Sequence, residues 1–263
     1  MNTFAFLHAG IDFGYPWWLS YGHLVVAAAA VLIFVLTYFA RARLGSLSNW
    51  ILWPCGIIGI WALTAFLMIH FAFDVNAKGS LPTANFLTSG AGRVLDIGAG
   101  TGRSSIMLLE ARPKVTLVAL DLFGESFNQH FGPSVTPQQR LLENLRTAGV
   151  DQRATIQTAD MRKLPFEAAS FDGIISAYAI DHLGRQGIAQ SLKEAARVIK
   201  PQGEFLLMVV GKDPFMNFAF GPFLLHAGLR GGDWWSGQLK DAGFRVIEKG
   251  MRPGTLYILS RRE

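Results

Sequence analysis

A chain of 263 residues has room for one full α/β domain and an appendage. Of these residues 51% are apolar and only 16% are charged, against roughly 25% in soluble domains, which excludes an ordinary soluble composition and points to membrane contact. The net charge of +5 forms no basic stripe, so no nucleic-acid partner is expected, and the single Cys55 excludes an internal disulfide and a cysteine-rich metal site.

Leu24 to Ala40 carries no charge, and Arg41 and Arg43 close it. Leu44 to Phe73 again lacks Asp, Glu, Lys and Arg, and is most apolar from Trp50 on. A bilayer core needs about 20 helical residues, so two transmembrane helices are expected, at about 23–40 and 50–73. Trp17, Trp18 and Tyr21 precede the first, and Trp50 and Trp53 open the second, as interfacial aromatics do. A signal peptide would start earlier and carry a basic leader. A surface-lying helix would need a charged face. Pro54 is expected in the first turn of the second helix, where its missing N–H costs little. His70, deep in that helix, reads as a packing residue or, less readily, a substrate contact. Residues 1–75 are thus read as a membrane region, and 76–92, rich in Gly, Ser, Asn and Thr, as a linker.

From 93 to 263 short apolar runs alternate with helical stretches. Strands are expected at Arg93–Ile97, Thr116–Leu120, Ala154–Thr158, Phe171–Ser176 and Glu204–Val209. Helices are expected at Arg103–Ala111, Gln138–Ala148 and Ile188–Ile199. This alternation predicts a doubly wound parallel sheet. Phe244–Lys249 and Thr255–Ser260 read as a terminal hairpin, and Asp233 as the cap of a helix whose Trp234 and Trp235 pack in the core.

The sharpest motif is the run Val94–Gly102, VLDIGAGTG, in which a strand ends in three alternating glycines before a helix. Such a loop turns tightly and lets a ligand press on bare backbone at the carboxyl end of the sheet. It is neither a dinucleotide fingerprint, because Arg103 stands where a third-spaced glycine would be, nor a phosphate loop. Asp121 ends the second strand and can accept hydrogen bonds from two ribose hydroxyls. Asp160 ends the third and can accept an adenine amino proton, while the polarizable Met161 can pack on the base. Each acid alone reads equally as a loop carboxylate or a helix cap. Three at successive strand ends form a pattern.

From about Gly92 to Arg262 the sequence resembles the class I S-adenosylmethionine (SAM)-dependent methyltransferases, in VLDIGAGTG, Asp121, DMRKLPFEAASFDGIISAYAIDHL and ARVIKPQGEFLLMVV. Its motif style is nearest to the ubiquinone/menaquinone-type group. The resemblance implies a Rossmann-like, seven-stranded sheet with an antiparallel last strand. It implies that Asp96, Gly98, Ala99, Gly100 and Gly102 hold the methionine part of SAM. Asp121 with Leu122 would hold the ribose, and Asp160 with Met161 the adenine. Ser176 and Ala177 would line the sulfonium.

Methyl transfer needs alignment and exclusion of water, and a base only where the acceptor must lose a proton. Tyr178, Asp181 and His182 follow the fourth strand and are the catalytic candidates. Asp181 as a helix cap and His182 as a solvent-facing residue are the bland alternatives. Phe127, His130 and Phe131 in the long segment 123–137 read as a lid. Phe215 and Phe218 in the uncharged segment 214–228 read as acceptor contacts, as bilayer contacts or as ordinary core packing. The expected activity is methylation of a lipid or apolar small molecule. S-methylation of small thiols and a non-catalytic SAM-binding subunit are the alternatives, and no metal is expected. The positive-inside rule would place Arg41 and Arg43 in the cytoplasm. A cytoplasmic cosubstrate places the catalytic domain there instead, on what is expected to be a bacterial inner membrane.

Overall fold

The structure, a computed structural model, describes residues 10–124, 137–224 and 229–263. It divides into two compact units. One takes Met1–Gly14, Asn76–Asp213 and Ala227–Glu263; the other takes Tyr15–Val75 and Pro214–His226.

The first unit is built on a seven-stranded sheet. Its strands are β1 (Ala91–Ile97), β2 (Lys114–Asp121), β3 (Ala154–Thr158), β4 (Phe171–Ala177), β5 (Ile199–Val210), β6 (Phe244–Arg252) and β7 (Thr255–Arg262). The order is β3-β2-β1-β4-β5-β7-β6. β1 to β5 pair in parallel, and β7 runs antiparallel to both β5 and β6. The chain order reverses between β1 and β4, which opens a crevice beyond their carboxyl ends. Between and after the strands run α3 (Arg103–Ala111), α4 (Pro137–Thr147), α5 (Arg185–Val198) and α7 (Gly232–Asp241). Val94, Leu95 and Ile97 are wholly buried, as expected of a central strand covered on both faces. Ile188, Leu192 and Ala195 recur at helical spacing on α5 and bury with Phe205, Phe244 and Trp235 in the main core.

The expected strands and helices are present, with β5 starting five residues early at Ile199. Two local expectations fail. The cap of α7 is Gly231 rather than Asp233, whose side chain is fully exposed beside Lys249. Residues 76–90 form no loose tether. Their carbonyls are held by arginines: Ala77 by Arg103, Pro82 by Arg252, and Ala84, Phe86 and Leu87 by Arg112. Phe86 is buried, and Glu204 and Glu248 accept from Leu87, Thr83 and Asn85. Small polar residues read as a linker in the sequence, and their backbone groups also suit them to side-chain anchoring.

The second unit holds α1 (Trp17–Leu44), α2 (Leu47–Ala72) and α6 (Pro214–Leu224). Both long helices exceed their sequence-based bounds. Pro54 lies seven residues in from Leu47, past the first turn and so inside the helix. α1 and α2 meet through small residues, Ala27, Ala30 and Thr37 against Gly59, Ala62 and Ala65. A Cβ on Gly59 would lie 3.6 Å from that of Ala30, the close approach that small residues permit between apolar helices. Outward faces are apolar: Phe39, Trp50 and Phe71 are each at least 80% exposed. At the end where α1 begins and α2 stops, Ser20 Oγ donates to Asp74 Oδ1 at 2.7 Å, and His70 Nδ1 lies 4.0 Å from Asp74 Oδ2. His70 also stacks on Phe66, so it packs near a helix end.

Candidate active site

Gly98, Gly100 and Gly102 take φ values of +76°, +53° and +94°, a left-handed region that side chains disfavour. Space is equally restrictive. A Cβ on Gly98 would lie 2.2 Å from Ala179 Cβ, and one on Gly102 would lie 2.5 Å from Leu141 Cδ1. Both Gly98 and Ala99 donate their N–H groups to the Leu120 carbonyl, tying the loop to β2. The loop is therefore fixed in position, with no room for a side chain at Gly98 or Gly102.

Asp96 lies beneath this loop with no exposed surface. Its Oδ2 accepts from Ser104 (2.7 Å) and Ser105 (2.6 Å), at the start of α3. Its Oδ1 has no hydrogen-bond partner among the described residues. Burial pushes its pKa up to about 6, the serine hydroxyls pull it down in part, and Asp121 raises it further. Ser104 and Ser105 were missed from the sequence. Their signal is two hydroxyls one turn past an acid-glycine loop. Ser176 is also wholly buried and donates to the Ile97 carbonyl at 2.8 Å, so it locks β4 to β1 instead of facing a ligand. Ala177 beside it is half-buried.

Asp121 is half-buried at the end of β2. Its Oδ2 accepts from the Gly100 amide (2.9 Å) and its Oδ1 from the Phe123 amide (3.0 Å). A carboxylate has about four acceptor sites, so both oxygens keep capacity for ribose hydroxyls. Leu122 next to it is exposed. Asp160 forms a bidentate pair with Arg162, which holds its carboxyl below the usual range. Half-buried Met161 comes within 3.4 Å of where a Gly98 Cβ would be, which brings the third strand's end to the glycine loop.

On the acceptor side, Tyr178 follows β4 with φ +52°, an uncommon conformation for a non-glycine residue. Its hydroxyl is hydrogen-bonded to Thr255 Oγ1, and burial raises its pKa against the pull of that bond and of Arg103. Asp181 sits in a 3-10 turn, Ile180–His182. Its Oδ2 accepts weakly from the Val210 amide at 3.4 Å, and its Oδ1 has no partner among the described residues. Burial raises its pKa, while His182, the Val210 amide and Arg230 pull it back. The bland reading of Asp181 as a helix cap does not hold, since the cap of α5 is Gly184 with no side-chain bond. His182 is exposed. Thr255, Arg103 and Arg230 are partners that only the fold supplies. Phe215 is buried in the second unit against Phe73, while Phe218 is 40% exposed. Phe127, His130 and Phe131 lie outside the described residues.

Residues 94–203 match the family model described as a methyltransferase domain. The ubiquinone/menaquinone biosynthesis C-methyltransferase UbiE of Syntrophotalea carbinolica is 30% identical over 52% of this chain and 52% of its own. Sterol 4-C-methyltransferase strm-1 of Caenorhabditis elegans is 28% identical over 43% of this chain and 29% of its own. The chain thus spans about half or less of the curated relatives it matches. An O-methyltransferase family protein from Burkholderia thailandensis shares the fold, with a TM-score of 0.55 at 14% identity over 85% of this chain and 63% of its own. Residues 94–203 thus carry a methyltransferase domain, similar over this stretch to the ubiquinone/menaquinone C-methyltransferases. Its cofactor is SAM. The residues present fit that cofactor: three left-handed glycines at the carboxyl end of β1, an orphaned buried carboxylate oxygen below them, and acids at the next two strand ends.

Proposed function

We propose that this protein is a membrane-anchored methyltransferase that transfers the methyl group of SAM to a lipid or other apolar small-molecule acceptor. The observation that carries the reading is the hairpin of α1 and α2. Its outward faces are apolar along their length, and exposed tryptophans mark both ends: Trp17 and Trp18 at one, Trp50 and Trp53 at the other. From Trp18 to Arg41 is about 35 Å at 1.5 Å per residue, enough to cross a hydrocarbon core of about 30 Å. Residues before α1 and after α2 both belong to the catalytic unit. Phe13 is buried there and accepts from Thr101 Oγ1 through its carbonyl, and the Asn144 side chain bonds both Asp12 N–H and C=O. This supports an even number of crossings, with both ends of the hairpin on the same side of the membrane. The names of the two curated relatives, ubiquinone/menaquinone and sterol C-methyltransferases, support an apolar acceptor.

Bound SAM supplies a methyl group on a sulfonium. In this reading the glycine loop and Asp96 hold its methionine part, Asp121 its ribose hydroxyls, and Asp160 with Met161 its adenine. Bound there, SAM would supply the methyl as an electrophile whose leaving group is the neutral sulfide of S-adenosylhomocysteine. Where the acceptor sheds a proton, Asp181 takes it: a buried carboxylate with an unused oxygen is more basic than an exposed one. His182 beside it can pass the proton to water. The test is transfer of labelled methyl from SAM into a membrane extract by the purified full chain in detergent, sorted into lipid, thiol and protein pools. Label in the lipid pool is expected. Label confined to thiols or protein, or no transfer despite SAM binding, overturns the acceptor class or the activity.

A further inference from the structure

The segment after β5, PFMNFAFGPFL, forms α6 and packs with the hairpin. It has no charged residue and one amide, Asn217. Its backbone poses a chemical problem. The Phe218 carbonyl would be bonded by the N–H four residues on, but residue 222 is proline and has none. Trp61 of α2 supplies the missing donor: its indole Nε1–H reaches the Phe218 carbonyl at 3.0 Å. The next carbonyl, of Ala219, accepts from His23 Nε2 of α1 at 2.9 Å, which fixes the His23 proton on Nε2, since a carbonyl can only accept. The His23 ring is held edge-on by Trp61 and Phe220, each at 5.4 Å. In water a freed carbonyl needs no such service. In lipid it does, and proline-bearing segments survive there where neighbouring helices satisfy the freed groups.

The level of these contacts matters. Trp61 lies eleven residues before the end of α2, about 16 Å along its axis, and His23 six residues into α1, about 9 Å. α1 and α2 span about 42 and 39 Å, roughly 10 Å more than a hydrocarbon core of about 30 Å, so with about 5 Å of each helix end in the interface both levels fall within one hydrocarbon leaflet of about 15 Å.

We propose that α6 is a third membrane element, a re-entrant helix that enters the lipid leaflet beside the hairpin and whose proline-freed carbonyl is satisfied by Trp61. The inference rests on the reading of α1 and α2 as membrane-spanning. Its occupant is the bilayer itself: Phe218 is exposed on a helix without charge, continuous with two apolar helices. α6 then lies in the phase that would hold an apolar acceptor.

The experiment uses the full chain with Cys55→Ser in phosphatidylcholine–phosphatidylglycerol vesicles, with a nitroxide on Phe218→Cys or, separately, on Ile60→Cys of α2. Both labels are expected to favour oxygen over a water-soluble nickel complex as relaxant. A Phe218 label in water with the Ile60 label in lipid overturns this proposal alone. Both labels in water overturn the membrane reading as well. Trp61→Phe is expected to increase label mobility at position 218. Pro222→Ala, which returns the helix's own N–H, is expected to restore it in the Trp61→Phe background. Absence of that rescue overturns the carbonyl argument.

Discussion

The cofactor loop and the helical hairpin both place glycines at contacts, but only the loop depends on them. At Gly98 the backbone is left-handed and a methyl group would collide with Ala179 at 2.2 Å. At Gly59 the backbone is helical and a methyl group would meet Ala30 at 3.6 Å, an ordinary contact. The first position needs the conformation as well as the space, and the second needs neither strictly. The loop is fixed by its amides, which donate to the Leu120 carbonyl and to Asp121. In the apolar unit the helices are fixed by fit, with a few polar bonds at their ends.

That contrast can be broken by measurement. Gly98→Val should weaken SAM binding by about 100-fold or more, since left-handed strain alone costs about 1–3 kcal/mol and the collision adds to it. Calorimetric titration with unaltered affinity would remove the cradle from the site. Asp181→Asn should lower turnover by about 100- to 1,000-fold for an acceptor that loses a proton, with SAM affinity unchanged. A parallel loss of affinity would make Asp181 a cofactor contact instead.

Asp96 gives a pH signature. Its carboxyl titrates near 4 when unfolded and at about 6 when folded, so its ionisation opposes folding. Below about pH 4 both states are protonated and there is no cost; from pH 4 to about 6 the cost grows, and above that it is complete, of the order of 2–3 kcal/mol. Asp96→Asn should flatten this slope in thermal unfolding of the SAM-free protein followed by near-ultraviolet circular dichroism. A slope unchanged by the substitution would assign it elsewhere. Gly59→Ala should be the mildest change, neutral or stabilising by up to about 1 kcal/mol in detergent. Marked destabilisation would show that the hairpin seam tolerates no methyl group and resembles the loop after all.

Much of the fold is legible because its signals are local. β3 and α3 fall on their expected residues, and the terminal hairpin and the antiparallel last strand are present. The loop is legible because three alternating glycines after an apolar strand have few other uses. Pro54 misled, since a proline interior to an apolar helix reads in sequence like a first-turn residue. Residues 76–90 misled because composition does not reveal that Arg103, Arg112 and Arg252 converge on their carbonyls.

By itself the sequence determined two long apolar helices, a parallel α/β domain and a glycine loop followed by acids at strand ends. Each depends on periodicity or on residues adjacent in the chain. Tertiary structure alone decided which of those acids is buried and which half-open. Ser176 looks like a ligand in sequence and turns inward to the Ile97 carbonyl, while Asp121 stays within reach. It also decided that Trp61 serves a carbonyl 157 residues away. Burial and hydrogen bonding are properties of neighbours in space, and a linear pattern carries no record of who they are.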